Sequence, residues 1–219
     1  MTKLRPYLAF LYRYRFLFLW ITFLVEFIAP SFIEHDNFML DSVLSTLSIL
    51  AGMIVLLARK RLFIVILILG LFVIVESFFN NIISSLWLAT LSNVLLIVFY
   101  IIIVYEIFRE LLDFSKVDLN TIGALLAGFF VLGVMGGVVF TLTEINFPNS
   151  FTGLSSTGKP HSELVYFSFV TLTTIGYGDI SPITQFAQRV TILFGLIGNF
   201  YSTVIIGIII SKFLAARDK

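Results

Sequence analysis

The sequence predicts an all-α membrane protein with six transmembrane helices and a short re-entrant helix between the fifth and sixth. Three observations predict it. The first is composition: of 219 residues, 59% are hydrophobic and 12% charged, and the mean hydropathy is +1.05. Soluble domains carry about 25% charged residues, so a chain this apolar cannot cover itself with polar surface in water. The second is length: the apolar residues fall in six runs near the ~20 residues needed to cross ~30 Å of hydrocarbon. The third is charge: Lys and Arg crowd into alternate connecting segments.

The first run, residues 16–33, follows a basic flank at Arg13 and Arg15. It is longer than a signal-peptide core, carries Glu26 and lacks a small-residue cleavage site, so it reads as an uncleaved span. Residues 42–58 and 62–79 are at the short end, and the latter is nearly pure Ile, Leu, Val and Phe but carries Glu76. Residues 86–107 form the fourth span. Residues 122–142 form the fifth, in which Gly128, Gly133, Gly136 and Gly137 offer a close contact surface for a neighbouring helix. Residues 144–160 are rich in Asn, Ser, Thr, Gly and Pro and read as a loop. Residues 162–173 are apolar but too short to span. They read as a re-entrant helix with Ser162 at the N-cap and Glu163 in the first turn. Residues 186–214 complete the set, and the five residues beyond Leu214 lead us to expect no tethered gating module.

Orientation follows from the basic residues. They cluster at Lys3, Arg5, Arg13 and Arg15, at Arg59, Lys60 and Arg61, at Arg109 and Lys116, and at Lys212, Arg217 and Lys219. The alternate segments 34–41, 80–85 and 144–161 are nearly free of them, Lys159 excepted; Arg189 is the other exception. Both termini are therefore expected in the cytoplasm, with the re-entrant segment on the outer side of a plasma (inner) membrane.

Other chemistries find no support. A net charge of +1 gives no sign of nucleic-acid binding, and the absence of cysteine removes disulfides and thiolate metal sites. His35 and His161 lie far apart, and no metal-ligand spacing or phosphate-binding glycine loop is present. With no nucleophile–base pair in the spans, neither an enzyme nor a cofactor is expected.

The informative segment is Thr171-Leu172-Thr173-Thr174-Ile175-Gly176-Tyr177-Gly178-Asp179. A hydrated potassium ion crosses hydrocarbon only if other oxygens replace its water. Rings of backbone carbonyls can do so if the backbone turns them to one axis. An ordinary strand alternates its groups; glycine, which accepts positive φ, relieves that alternation. Gly176 and Gly178 alternate with Ile175 and Tyr177, whose side chains can pack outward, and Thr174 adds a hydroxyl oxygen. The preceding short helix would aim its partially negative C-terminus at the membrane centre, which favours a cation.

On these residues the chain resembles the potassium-channel pore domain: outer helix, pore helix, Thr-Ile-Gly-Tyr-Gly-Asp filter, inner helix. The resemblance covers about residues 122–214 and is sharpest over 166–201. It implies a homotetramer in membrane lipid, with Thr174, Ile175, Gly176, Tyr177 and Gly178 coordinating K+ as the permeant ligand and Asp179 at the outer mouth. Some channels carry a glutamate where this chain has Val170. Tyr166, 13 positions before Asp179, is then a candidate to bond the carboxylate and steady the filter; otherwise Asp179 faces water. The family favours Gly198 as a gating hinge, with Gly195 next, although packing explains either glycine equally well. Thr203, Ile206 and Ile210 are candidates to line the cavity or an apolar gate.

Six spans with the pore between the last two look like the voltage-gated superfamily. Residues 1–108 would be a peripheral four-helix domain, 109–120 an interfacial linker helix and 121–219 the pore domain. Voltage sensing needs charge in the fourth span, where each unit charge moved through 100 mV is worth about 2.3 kcal/mol. Residues 86–107 contain no Arg or Lys, so weak or absent voltage dependence is expected. Glu26 and Glu76 are intramembrane carboxylates and hence candidates for sensing; alternatively they are protonated, interfacial, or paired with Asn80 or Asn93. A non-selective cation channel and a silent or regulatory subunit are the alternatives to a potassium-selective channel.

Overall fold

The computed structural model describes residues 6–29, 38–57, 59–79, 86–113, 119–155 and 160–217. These are mostly helical: α1 (Pro6–Arg13), α2 (Arg15–Ile28), α3 (Phe38–Val55), α4 (Lys60–Phe79), α5 (Leu86–Asp113), α6 (Leu119–Asn146), α7 (Pro160–Leu172) and α8 (Gln185–Arg217). Two short strands, β1 (Phe151–Thr152) and β2 (Ser181–Pro182), pair antiparallel, with Phe151 opposite Pro182 and Thr152 opposite Ser181. Among the described residues, two helices are long and apolar enough to cross a membrane, Leu86–Leu112 and Leu119–Asn146.

Helix α6 is the hub. Helices α2, α5, α7 and α8 all pack along it. Phe16, Leu19 and Phe23 of α2 and Ile103 and Ile107 of α5 are sealed with Ala124, Ala127 and Val131 of α6 in one core. A second, smaller core gathers Phe140 (α6), Phe151 (β1), Leu164 and Phe167 (α7), Ile180, and Ala187 and Phe194 (α8). Phe140 is its centre, with ring centroids 5.2 Å from Phe167, 5.4 Å from Phe194 and 5.6 Å from Phe151.

The glycines of α6 do what a small-residue stripe permits: they let another helix approach closely. A Cβ added at Gly133, Gly136 or Gly137 would meet Phe169, Ser168 or Val165, all of α7.

Several boundaries differ from the sequence reading. Residues 109–113, expected in a separate linker helix, continue α5, while 114–118 lie outside the described residues. The extension is held by charge pairing. Glu106, almost fully buried, receives Arg59 at 3.0 Å and Arg109 at 3.2 Å, and Glu110 pairs with buried Arg15. The helix at residue 162 also starts earlier. Pro160 takes the first position, where its missing N–H and fixed φ cost nothing, so Ser162 lies inside the first turn. Glu163 instead accepts the backbone N–H of Ser155 at 3.0 Å and bonds its hydroxyl.

Candidate functional site

Helix α7 stops at Leu172 and the chain curls off its end. Thr173 N–H donates to Phe169 O at 2.9 Å and Thr174 N–H to Thr171 O at 3.1 Å. The Val170 carbonyl accepts three donors, Ile175 N–H at 3.0 Å, Gly176 N–H at 3.4 Å and Thr173 Oγ1 at 3.4 Å. Beyond this knot the backbone alternates in hand. Thr174, Gly176 and Gly178 have φ of +60°, +60° and +80°, while Ile175 and Tyr177 between them do not have positive φ. A reversal at every second residue inverts alternate peptide planes relative to a strand, and so lets successive carbonyls face one side. Glycine reaches this region without penalty; β-branched Thr174 does not. The side chains of Ile175 and Tyr177 are largely exposed on the single chain, at 54% and 69%. Among the described residues, nothing lies within 4 Å of a Cβ placed at Gly176 or Gly178.

Asp179 follows directly. Tyr166 Oη donates to Asp179 Oδ2 at 2.8 Å, which ties the middle of α7 to the end of the segment. The bond holds the Asp179 carboxyl below its ordinary 3.8 and pushes the Tyr166 hydroxyl above its ordinary 10.0.

The remaining sequence candidates are spread along α8, which is helical without a break past Gly195 and Gly198. Gly198 lies against the end of α7: a Cβ there would sit 2.8 Å from Leu172 O and 3.0 Å from Leu172 Cα. At Gly195 the nearest atom would be Thr171 Cγ2 at 3.7 Å, an ordinary contact. Thr203 is exposed on α8. The backbone of Ile206 and Ile210 belongs to α8, and their side chains lie outside the described residues, as does that of Glu76 in α4. Glu26 meets Ser48 of α3. Asn93, one of its expected partners, donates to Ala89 O of its own helix at 2.7 Å; Asn80 lies outside the described residues.

Sequence reasoning passed over two carboxylate sites, the pair Glu106 and Glu110, and Glu144. The first pair carried a signal: Glu106, Arg109 and Glu110 sit one helical turn apart at the end of an apolar run, the spacing of i,i+3 and i,i+4 partners.

A helical integral membrane protein, with a short helix ending in a hand-alternating segment between two long helices, is the class that fold and site define. Residues 94–215, more than half of the chain, match the family described as "Ion channel", and the chain belongs to that family. It is also similar to "Two pore potassium channel c" of Oryza sativa subsp. japonica, 37% identical over 71 residues. That stretch is 32% of this chain and 16% of the rice protein, so the chain matches only a small part of that relative's length. No solved structure matches.

Proposed function

We propose that this chain is one subunit of a homotetrameric, potassium-selective channel. The observation that carries the reading is the alternating hand of Thr174, Gly176 and Gly178 at the C-terminus of α7. Four such segments around one axis would offer stacked carbonyl rings from Thr174, Ile175, Gly176, Tyr177 and Gly178, with the Thr174 hydroxyl below them, in place of a potassium ion's hydration shell. The partial negative charge at the end of α7 adds to the attraction for a cation. The rice relative's name, a potassium channel, supports the same choice of ion. Asp179 and Tyr166 steady the outer end.

In this reading α2, α3, α4, α5, α6 and α8 are six spans, both termini are cytoplasmic and the membrane is the plasma membrane. The inner helix opens by bending near Gly198 or Gly195, and Thr203, Ile206 and Ile210 line the path below the filter. Voltage dependence is weak or absent, because α5 carries no basic residue before Arg109, and Arg109 is itself paired with Glu106.

The deciding experiment is the reversal potential of purified protein in a planar bilayer with opposed potassium and sodium gradients. A value near the potassium equilibrium potential is expected. A value near zero would mean a non-selective cation pore. Silence, persisting in a potassium-flux assay across pH and lipid composition, would mean a regulatory subunit that does not conduct alone.

A further inference from the structure

We propose that Glu144 is a positioning residue for selectivity: its carboxylate builds the outer loop that braces the chain leaving the filter. The inference rests on the filter reading above and adds to it a residue distant in sequence from the filter.

Glu144 stands in the last turn of α6. One of its oxygens accepts the N–H of Asn149 at 2.8 Å, and the other accepts Ser150 N–H at 2.9 Å and Phe151 N–H at 3.1 Å. Three backbone donors converging on one carboxylate are charge-assisted bonds, the stronger kind. They fold residues 147–151 back over the helix end, through a left-handed Asn149 of the sort Asn tolerates. Ser150 is thereby fully buried, with its hydroxyl donating to Phe147 O at 2.6 Å.

The loop so held touches the post-filter chain at four successive points. The Asp179 carbonyl lies against Gly153, where a Cβ would overlap it. Ser181 and Pro182 pair with β1. Ile183 N–H donates to Ser150 O at 2.7 Å, and Thr184 Oγ1 donates to Ser150 Oγ at 3.1 Å. Phe151, set in the aromatic core beside Phe140 and Phe167, prevents the loop from sliding. Tyr166 therefore holds Asp179 by its side chain, while Glu144, through the loop, holds the backbone from Asp179 to Thr184. If that backbone drifts outward, the carbonyl rings at Tyr177 and Gly178 widen and lose their preference for potassium.

The test is Glu144→Gln, assembled and purified, recorded beside wild type in bilayers with opposed potassium and sodium gradients. Glutamine keeps the length but replaces one acceptor oxygen with an NH2 that faces N–H donors. Losing charge-assisted bonds of this kind is expected to lower the potassium-to-sodium permeability ratio, moving the reversal potential from the potassium equilibrium potential towards zero. Reading permeability per open channel separates this from a loss of folded protein. Where Glu144→Gln does not assemble, Glu144→Asp decides, since it keeps the charge but draws the carboxylate back by one methylene from N–H groups now at 2.8, 2.9 and 3.1 Å, and should lower the ratio likewise. A wild-type ratio in the decisive variant overturns the role of Glu144 and leaves the filter reading standing. A wild-type channel that is itself non-selective overturns both.

Discussion

The phenol of Tyr201 on α8 donates to the backbone carbonyl of Leu125 on α6 at 2.6 Å. The bond is buried, and the ring is walled by Phe108 of α5 at 5.7 Å and Phe129 of α6 at 6.0 Å. Three helices therefore meet at one hydroxyl, and it fits only because residue 128 has no side chain, since a Cβ there would collide with it. Tyr201→Phe is expected to cost about 1 kcal/mol, the net worth of one hydrogen bond. Gly128→Ala is expected to cost more, about 1–3 kcal/mol, because the ring has no free space to retreat into. Thermal unfolding of the detergent-solubilised protein ranks the two, and equal stability of all three proteins would refute the knot.

The bond between Tyr166 and Asp179 has two pH limits. Asp179 titrates below its ordinary 3.8, so its contribution to stability is complete above that value and lost as pH falls through the lowered one. Tyr166 titrates above its ordinary 10.0, so its contribution is complete below 10.0 and lost as pH rises through the raised value. In Tyr166→Phe, Asp179 should titrate closer to 3.8. The carboxyl carbon shift of labelled Asp179 measures this directly, and an unmoved titration would show that the phenol does not act on the acid.

Gly198 and Gly195 should respond differently to the same methyl group. At Gly198 it meets the backbone of Leu172, which cannot swing aside, and overpacking of this kind costs about 1–3 kcal/mol. At Gly195 it has room, and alanine favours the helix by up to about 1 kcal/mol over glycine. Gly198→Ala should therefore lower the melting temperature and Gly195→Ala should hold or raise it. The reverse order would mean that the close approach of α8 to the end of α7 is wrong.

Glu106 is gripped by two arginines from opposite directions in sequence, Arg59 and Arg109. Removing one partner of a buried ion pair costs about 3–5 kcal/mol, and the half-exposed arginines reduce that, since water can screen them. Glu106→Gln is expected to cost about 2 kcal/mol, and the further change Arg59→Gln should then add little. A double-mutant cycle in thermal stability tests the coupling, and strictly additive losses would rule it out.

The turn of hand at Gly176 and Gly178 was legible in residue types, because glycine alone enters positive φ without penalty. The left-handed Thr174 was not, since a β-branched residue argues against positive φ and only the knot on Val170 O imposes it. Helix positions came through where apolar runs were long, and ends failed where polar groups had partners out of view. Glu106, Arg109 and Glu110 look like the edge of a span by hydropathy, yet Arg15 of α2 and Arg59, just before α4, reach them and α5 runs on to Asp113. Glu144 heads the polar stretch that reads as loop, yet it lies in α6, and its three partners are backbone N–H groups that no side-chain pattern announces.

Helices α2 and α5 lean on the α6 of their own chain, as do α7 and α8. The peripheral helices and the helix that bears Thr174–Gly178 thus share one keel, and a fault in α6 would be felt by all four neighbours at once.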